Sequence, residues 1–102
     1  MGQYERAHQL GKDTLALMKQ VLGDDHPNTL RSAHSFAVTL RELKQHEQAR
    51  QLNDDTLTRR RRILGEDHPL TLTSANNLAD DLRALGRAEE ADELEEWVRS
   101  RR

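Results

Sequence analysis

Cysteine is absent from this 102-residue chain, which excludes a disulfide framework, a thiolate nucleophile and any cysteine-based metal site. Aromatic residues are nearly absent as well, with one Phe, one Trp and one Tyr. Three rings cannot furnish the stacking platform that single-stranded nucleic acid binding normally uses. The net charge of −2 gives no overall attraction to nucleic acid or anionic lipid. No apolar run approaches the ~18 residues of a membrane span, and the N-terminus has no signal-peptide pattern. A cytoplasmic protein with neither a nucleic-acid nor a membrane partner is therefore expected. All five glycines are isolated, so there is no Gly-rich phosphate loop with Lys-Ser or Lys-Thr, and these residues do not bind ATP by that mechanism. Large apolar side chains are scarce: Leu, Ile, Val and Phe number 16, 1, 3 and 1. That supply favours thin layers of Leu and Ala over one broad core. The basic residues are 13 Arg and 3 Lys, which hints at a GC-rich genome.

What the chain does have is repetition. Gly23-Asp24-Asp25-His26-Pro27 returns 42 positions later as Gly65-Glu66-Asp67-His68-Pro69, and sliding residues 1–42 onto 43–84 gives 20 identities. Chance at ordinary residue frequencies would give roughly three. A partial third copy follows, with Leu43/Leu85, Glu47/Glu89, Ala49/Ala91 and Leu52/Leu94 in register.

The punctuation inside each copy reads as helix, loop, helix. Gly23 and Gly65 sit where a helix ends with a left-handed residue. Pro27 and Pro69 suit the first turn of the next helix, where a missing N–H costs nothing. Asp25 and Asp67, just upstream, are candidates to accept the free amide protons there. From there Leu30, Ala33, Phe36, Ala37, Leu40 and Leu43, matched by Leu72, Ala75, Leu78, Ala79, Leu82 and Leu85, follow the three-four spacing of an amphipathic helix. Ala49, Leu52, Thr56, Leu57, Ile63 and Leu64 form the stripe of the following helix. Gly11 interrupts its earlier counterpart at about 1 kcal/mol relative to Ala. The small residues Ala33, Ala37, Ala49, Ala75, Ala79 and Ala91 recur where two helices would cross. The spacing predicts one all-α domain over 1–102, with five helices at about 3–22, 27–43, 47–64, 69–85 and 88–101. The first of these is a second helix without its partner, so the array holds two full hairpins and one unpaired helix, or two and a half repeats.

Leu22-Gly23-Asp24-Asp25-His26-Pro27-Asn28-Thr29, Leu64-Gly65-Glu66-Asp67-His68-Pro69 and Asn76-Asn77-Leu78-Ala79 together resemble the tetratricopeptide repeats. More narrowly they look like the 42-residue kinesin-light-chain type, which also occurs in C-terminal arrays of bacterial regulatory ATPases, particularly actinobacterial ones. Gly2-Gln3-Tyr4-Glu5-Arg6-Ala7 and Gly86-Arg87-Ala88-Glu89-Glu90-Ala91 look like that family's turn into its second helix. Leu40, Leu82 and Ala88 depart from it, standing where the family usually has bulky aromatics. The resemblance implies antiparallel hairpins stacked as a right-handed superhelix, with the first helix of each hairpin lining a concave groove that binds a peptide or protein surface. Units of this kind hold together only when stacked, and about three are usually needed. With two and a half, self-association through the terminal helices is an expected supplement.

By resemblance, Asn76 occupies the place from which this family's asparagines hold the backbone of an extended peptide. A side-chain amide offers a donor and an acceptor together, matching a peptide's own pair. Thr73, Asp80 and Arg83 share its helix face, and Arg31, His34, Val38 and Arg41 occupy the matching face one copy earlier. Asp13 and Asp55 are the register counterparts of Trp97, which stands either to seal the end of the stack or to anchor a partner.

No metal or cofactor is expected. His26 and His68 repeat in register and suit a structural role at the adjacent helix ends. His46-Glu47-Gln48-Ala49-Arg50 starts like a zinc-protease helix but lacks the second histidine four residues on. His8 and His34 are isolated. Arg59-Arg60-Arg61-Arg62 point in four directions around a helix, in a last turn where positive charge suits the helix dipole. They read as a solvated helix end, with contact to an anion or an acidic partner as the alternative. The acidic start and basic end of the last helix fit the same dipole. A hydrolase would need a nucleophile, base and orienting group converging in a pocket, and no motif for one is present. The reading is a non-enzymatic interaction scaffold. The alternative is a sensor-array fragment of a larger signalling ATPase, with ATP or GTP binding belonging to the parent gene.

Overall fold

The computed structural model describes residues 2–101. They form α1 (Gln3–Leu22), α2 (Pro27–Glu42), α3 (His46–Leu64), α4 (Pro69–Ala84) and α5 (Ala88–Ser100), with no strand among the described residues. Each helix packs against its neighbours in the chain, α1 on α2, α2 on α3, α3 on α4 and α4 on α5. The product is an all-α helical repeat, a slab of 38 × 30 × 16 Å.

The loop chemistry differs from the expectation at one point. The residues that cap α2 and α4 are His26 and His68, not the aspartates before them. Each histidine has extended backbone, and its Nδ1 accepts the amide proton two residues on, from Asn28 and from Leu70, both at 3.0 Å. Proline at the first helical position leaves that next amide as the one needing a partner. Asp25 is drawn to α3 instead, accepting from Arg59 at 2.8 Å and Arg62 at 2.9 Å. Arg59 first, then Arg62, holds its carboxyl below the usual range. The stability this adds is present above that range and is lost as the pH falls through the lowered value. One repeat later Arg101, just past the end of α5, meets Asp67 at 3.2 Å, a tie in the same register. Gly23 and Gly65 have φ of 94° and 93° with extended ψ, a region open to glycine alone and not the left-handed helical one.

The crossing alanines are where the packing is tightest. Ala49, Ala75, Ala79 and Ala91 have 0% exposure. Leu57, Leu72, Leu78, Leu82 and Val98 complete one contiguous cluster around three of them, with Leu94 and Trp97 against its edge. The polar residues in these layers are tied to backbone in register: Thr29 Oγ1 donates to the Met18 carbonyl and Thr71 Oγ1 to the Arg60 carbonyl, both at 3.3 Å. Ile63 and Leu64 are not core residues, contrary to the stripe expected for α3. They are 43% and 37% exposed and line an open cavity shared with the starts of α2 and α4. On α1 the residues Leu10, Leu17 and Val21 are also largely exposed.

Gly11 has a packing reason. A Cβ built there would stand 2.9 Å from Phe36 Cδ1 and 3.5 Å from its Cγ, so the backbone of α1 makes room for the ring. In the next repeat the pair is Asn53 and Leu78. Gly11→Ala should therefore gain little of the ~1 kcal/mol that alanine normally brings to a helix, yet gain most of it in a Phe36→Leu background. A denaturant-unfolding double-mutant cycle should show a favourable coupling of about 1 kcal/mol, and strict additivity would refute the close-approach explanation.

Candidate functional site

The 42-residue register gives α2 and α4 matching faces, and side chains join them directly. Asp81, with 0% exposure, is the centre of the link. It accepts from Asn53 Nδ2 of α3 at 2.5 Å and from Arg41 Nε of α2 at 3.3 Å. Arg41 also donates through Nη2 to the Asn77 carbonyl at 3.4 Å and approaches Asp80 at 4.0 Å. A second bridge runs from the Asn77 amide nitrogen to His34 Nδ1 at 2.9 Å. Burial, then the nearby charges of Arg60 and Arg41, lower the His34 pKa. The neutral ring thus takes the Asn77 proton on Nδ1 and keeps its own proton on Nε2.

The expected face residues divide into three groups. His34, Arg41 and Asp80 are brought together by these bridges. Arg31, Val38 and Thr73 are exposed and Asn76 is half-buried, and none of these four has a side-chain hydrogen bond among the described residues. Arg83 is turned away: it reaches Asp92 at 2.6 Å and also Glu95, both on α5. Trp97 lies on α5, apart from this face. Its ring centroid is 4.4 Å from the Arg61 guanidinium and 5.3 Å from that of Arg101, a cation–π arrangement.

Beside the bridges, a cavity of about 370 Å³ opens where the start of α2, the end of α3 and the start of α4 meet. Its apolar wall is Pro27, Leu30, Ile63, Leu64 and Leu70, and Asp25, Arg31, His34, Thr73 and Arg60 bring polar groups to it. The run Arg59 to Arg62 is thus solvated only in part: the Arg62 side chain is 59% exposed, while the others are engaged by the fold. Arg59 and Arg62 hold Asp25, Arg61 lies over Trp97, and Arg60 is buried, donating to Ser74 Oγ at 2.9 Å and to the Leu70 carbonyl at 3.3 Å.

Sequence reasoning missed Asn53, Arg60, Asn77 and Asp81. For three of them the register carried a signal. Asn53, Arg60 and Asp81 replace Gly11, Met18 and Thr39 of the earlier copy, so each puts a stronger polar group at a position otherwise small or apolar. No group of three or more His, Asp or Glu side chains spaced to hold a metal occurs among the described residues. The arrangement offers amide pairs, fixed charges and an apolar cleft, which is chemistry for binding.

Residues 1–61 and 36–102 each match the family model of the tetratricopeptide repeat. A solved kinesin-light-chain-like protein of Podosopora anserina, with nearly identical TPR-like repeats, is 31% identical over 95% of this chain and 46% of its own, with a TM-score of 0.89. A single-substitution variant of it is 31% identical over 98% and 47%, with a TM-score of 0.87. The chain therefore spans about half the length of these structures. No curated protein matches it at a significant level.

Asp81→Ala would leave Asn53 and Arg41 without their acceptor at a buried joint. The expected loss is roughly 2–4 kcal/mol, with Asp81→Asn milder because an acceptor oxygen remains. Urea titration of the two variants checks this, and a loss below about 0.5 kcal/mol for Asp81→Ala would show that the joint does not hold the repeats together.

Proposed function

The chain belongs to the tetratricopeptide repeat family, and from that premise we propose a non-catalytic scaffold that holds an extended peptide or protein segment in a concave groove lined by α2 and α4. The observation that carries this reading is the pair of bridges between those helices, Arg41 to Asp81 and His34 to Asn77. They hold two matching faces at one spacing, so a bound strand would meet preorganised groups. Asn76 contributes an amide able to pair with a peptide unit. Arg31, Val38, Thr73 and Asp80 contribute side-chain contacts around it. Arg83 acts through its hold on α5 and is not a first choice for contact. Trp97 remains an alternative partner anchor at the end of the array, supported by its partial exposure.

A peptide selected against the protein by display should bind Asn76→Ala plus Arg31→Ala at least ~10-fold more weakly, a loss of about 1.4 kcal/mol, while the melting temperature stays unchanged. Affinity unaltered by the pair of substitutions would remove α2 and α4 from the binding face.

Self-association is a second reading, favoured by the exposed Leu10, Leu17 and Val21 at 69%, 59% and 68%. Their spacing places them along one side of α1. Sedimentation should show a concentration-dependent dimer that Leu10→Glu plus Leu17→Glu converts to monomer. A wild-type monomer at every concentration would dispose of this reading.

A further inference from the structure

Arg60 is an anomaly in its own repeat. It is 6% exposed, yet among the described residues no carboxylate lies within 4.0 Å of it. The acidic residue nearest in the cavity wall, Asp25, is already held by Arg59 and Arg62. Nη1 of Arg60 serves Ser74 and the Leu70 carbonyl, while its Nε–H and Nη2 donors have no partner among the described residues. A guanidinium keeps its charge in a protein, and these two donors are not among the sealed unsatisfied groups, which are His46 Nδ1 and Arg61 Nε, so they stay accessible and available to an anion.

The fold does not demand this charge. Forty-two positions earlier the residue is Met18, whose sulfur takes the same serine contact, Ser32 Oγ at 2.9 Å. A thioether therefore satisfies the helix crossing that Arg60 occupies. What the second repeat has in addition is the cavity of about 370 Å³, with Leu30, Ile63, Leu64 and Leu70 along its wall and Arg31 also on its lining. Arg31 has no carboxylate partner among the described residues either. Apolar walls and an unpaired guanidinium in one small cleft are complementary to a molecule with a hydrocarbon body and one anionic end. The volume lies at the low end for ligand cavities, which fits a body of roughly ten carbons.

We propose that this cleft binds a small amphipathic carboxylate, its chain against Leu30, Ile63, Leu64 and Leu70 and its carboxylate paired with Arg60, with Arg31 as a second cation. The planar guanidinium offers the two parallel donors that a carboxylate takes up. The site shares Arg31, His34 and Thr73 with the face assigned to a polypeptide, but it goes beyond that reading and needs no protein partner.

Decanoate is the probe, with decan-1-ol as the uncharged body and acetate as the anion without a body. In an NMR titration of the full chain, decanoate should shift the signals of Leu30, Ile63 and Leu70 and bind at least ~10-fold more tightly than decan-1-ol, with acetate silent at millimolar concentration. Arg60→Met copies Met18. It should melt no lower than the wild type, lose about tenfold in decanoate affinity and bind decan-1-ol unchanged. Three results would overturn the proposal: no decanoate shifts at 1 mM on the order of the weakest specific binding, equal decanoate binding by Arg60→Met, or a clearly lowered melting temperature for that variant, which would make Arg60 a structural residue. Failure of the peptide-binding experiment leaves this one untouched, because decanoate is titrated alone.

Discussion

Alanine at the helix crossings is the constraint on which the rest of the structure depends. A side chain that ends at Cβ lets two helical backbones approach to the short end of the usual packing range. Ala37, Ala49, Ala75, Ala79 and Ala91 are 0–1% exposed there. With the crossings closed, the seven buried leucines, Leu15, Leu30, Leu40, Leu57, Leu72, Leu78 and Leu82, are enough to fill the remaining layers. Because the main packing of each helix is on its neighbours in the chain, stability is close to a sum of local interfaces, and the slab stays 16 Å thick. A slab that thin cannot bury both faces of every helix. The faces left over are the ones available to partners.

Comparing equivalent positions separates what the scaffold requires from what one interface adds. Thr29 and Thr71 make the same backbone contact in both copies, so it belongs to the scaffold, whereas the serine contact keeps its place and reverses its direction: Ser32 donates to the Met18 sulfur and Ser74 accepts from Arg60. The Gly11 and Phe36 contact gives the first interface an aromatic ring set against bare backbone. The second interface has Asn53, Asp81 and Arg41 in a buried polar joint instead. The polar version costs desolvation and works only because each member has a partner. It also crosses from α2 to α4, so it ties the equivalent helices of adjacent repeats to each other directly.

The arginine run shows how far local reasoning reaches. Four successive basic residues at a helix end look interchangeable, since all four suit the dipole. In the folded chain they meet three different surroundings: the loop before α2, the cleft, and the Trp97 ring. Their directions follow from the 100° step of the helix, but apart from Asp55, which Arg59 reaches on its own helix, their partners come from segments 10 to 37 residues away. The same distance explains the capping difference at His26. Asp25 has the right chemistry for the cap, but Arg59 and Arg62 on α3 hold its carboxylate, and a charge-assisted pair is stronger than a bond to a neutral backbone amide.

The sequence by itself determined the period, the five helices and the crossing residues, because turn chemistry and a three-four apolar spacing act over a few positions and are written twice. The candidate face was legible in outline, since register alone puts Arg31, His34, Asn76 and Asp80 on equivalent sides of two helices. Tertiary structure decided that Arg83 turns to α5, that Asp81 is buried under Arg41, and that Arg60 lines a cleft without a carboxylate beside it. Those outcomes depend on which distant group first satisfies a charge, and charge partners carry no periodic signature along the chain.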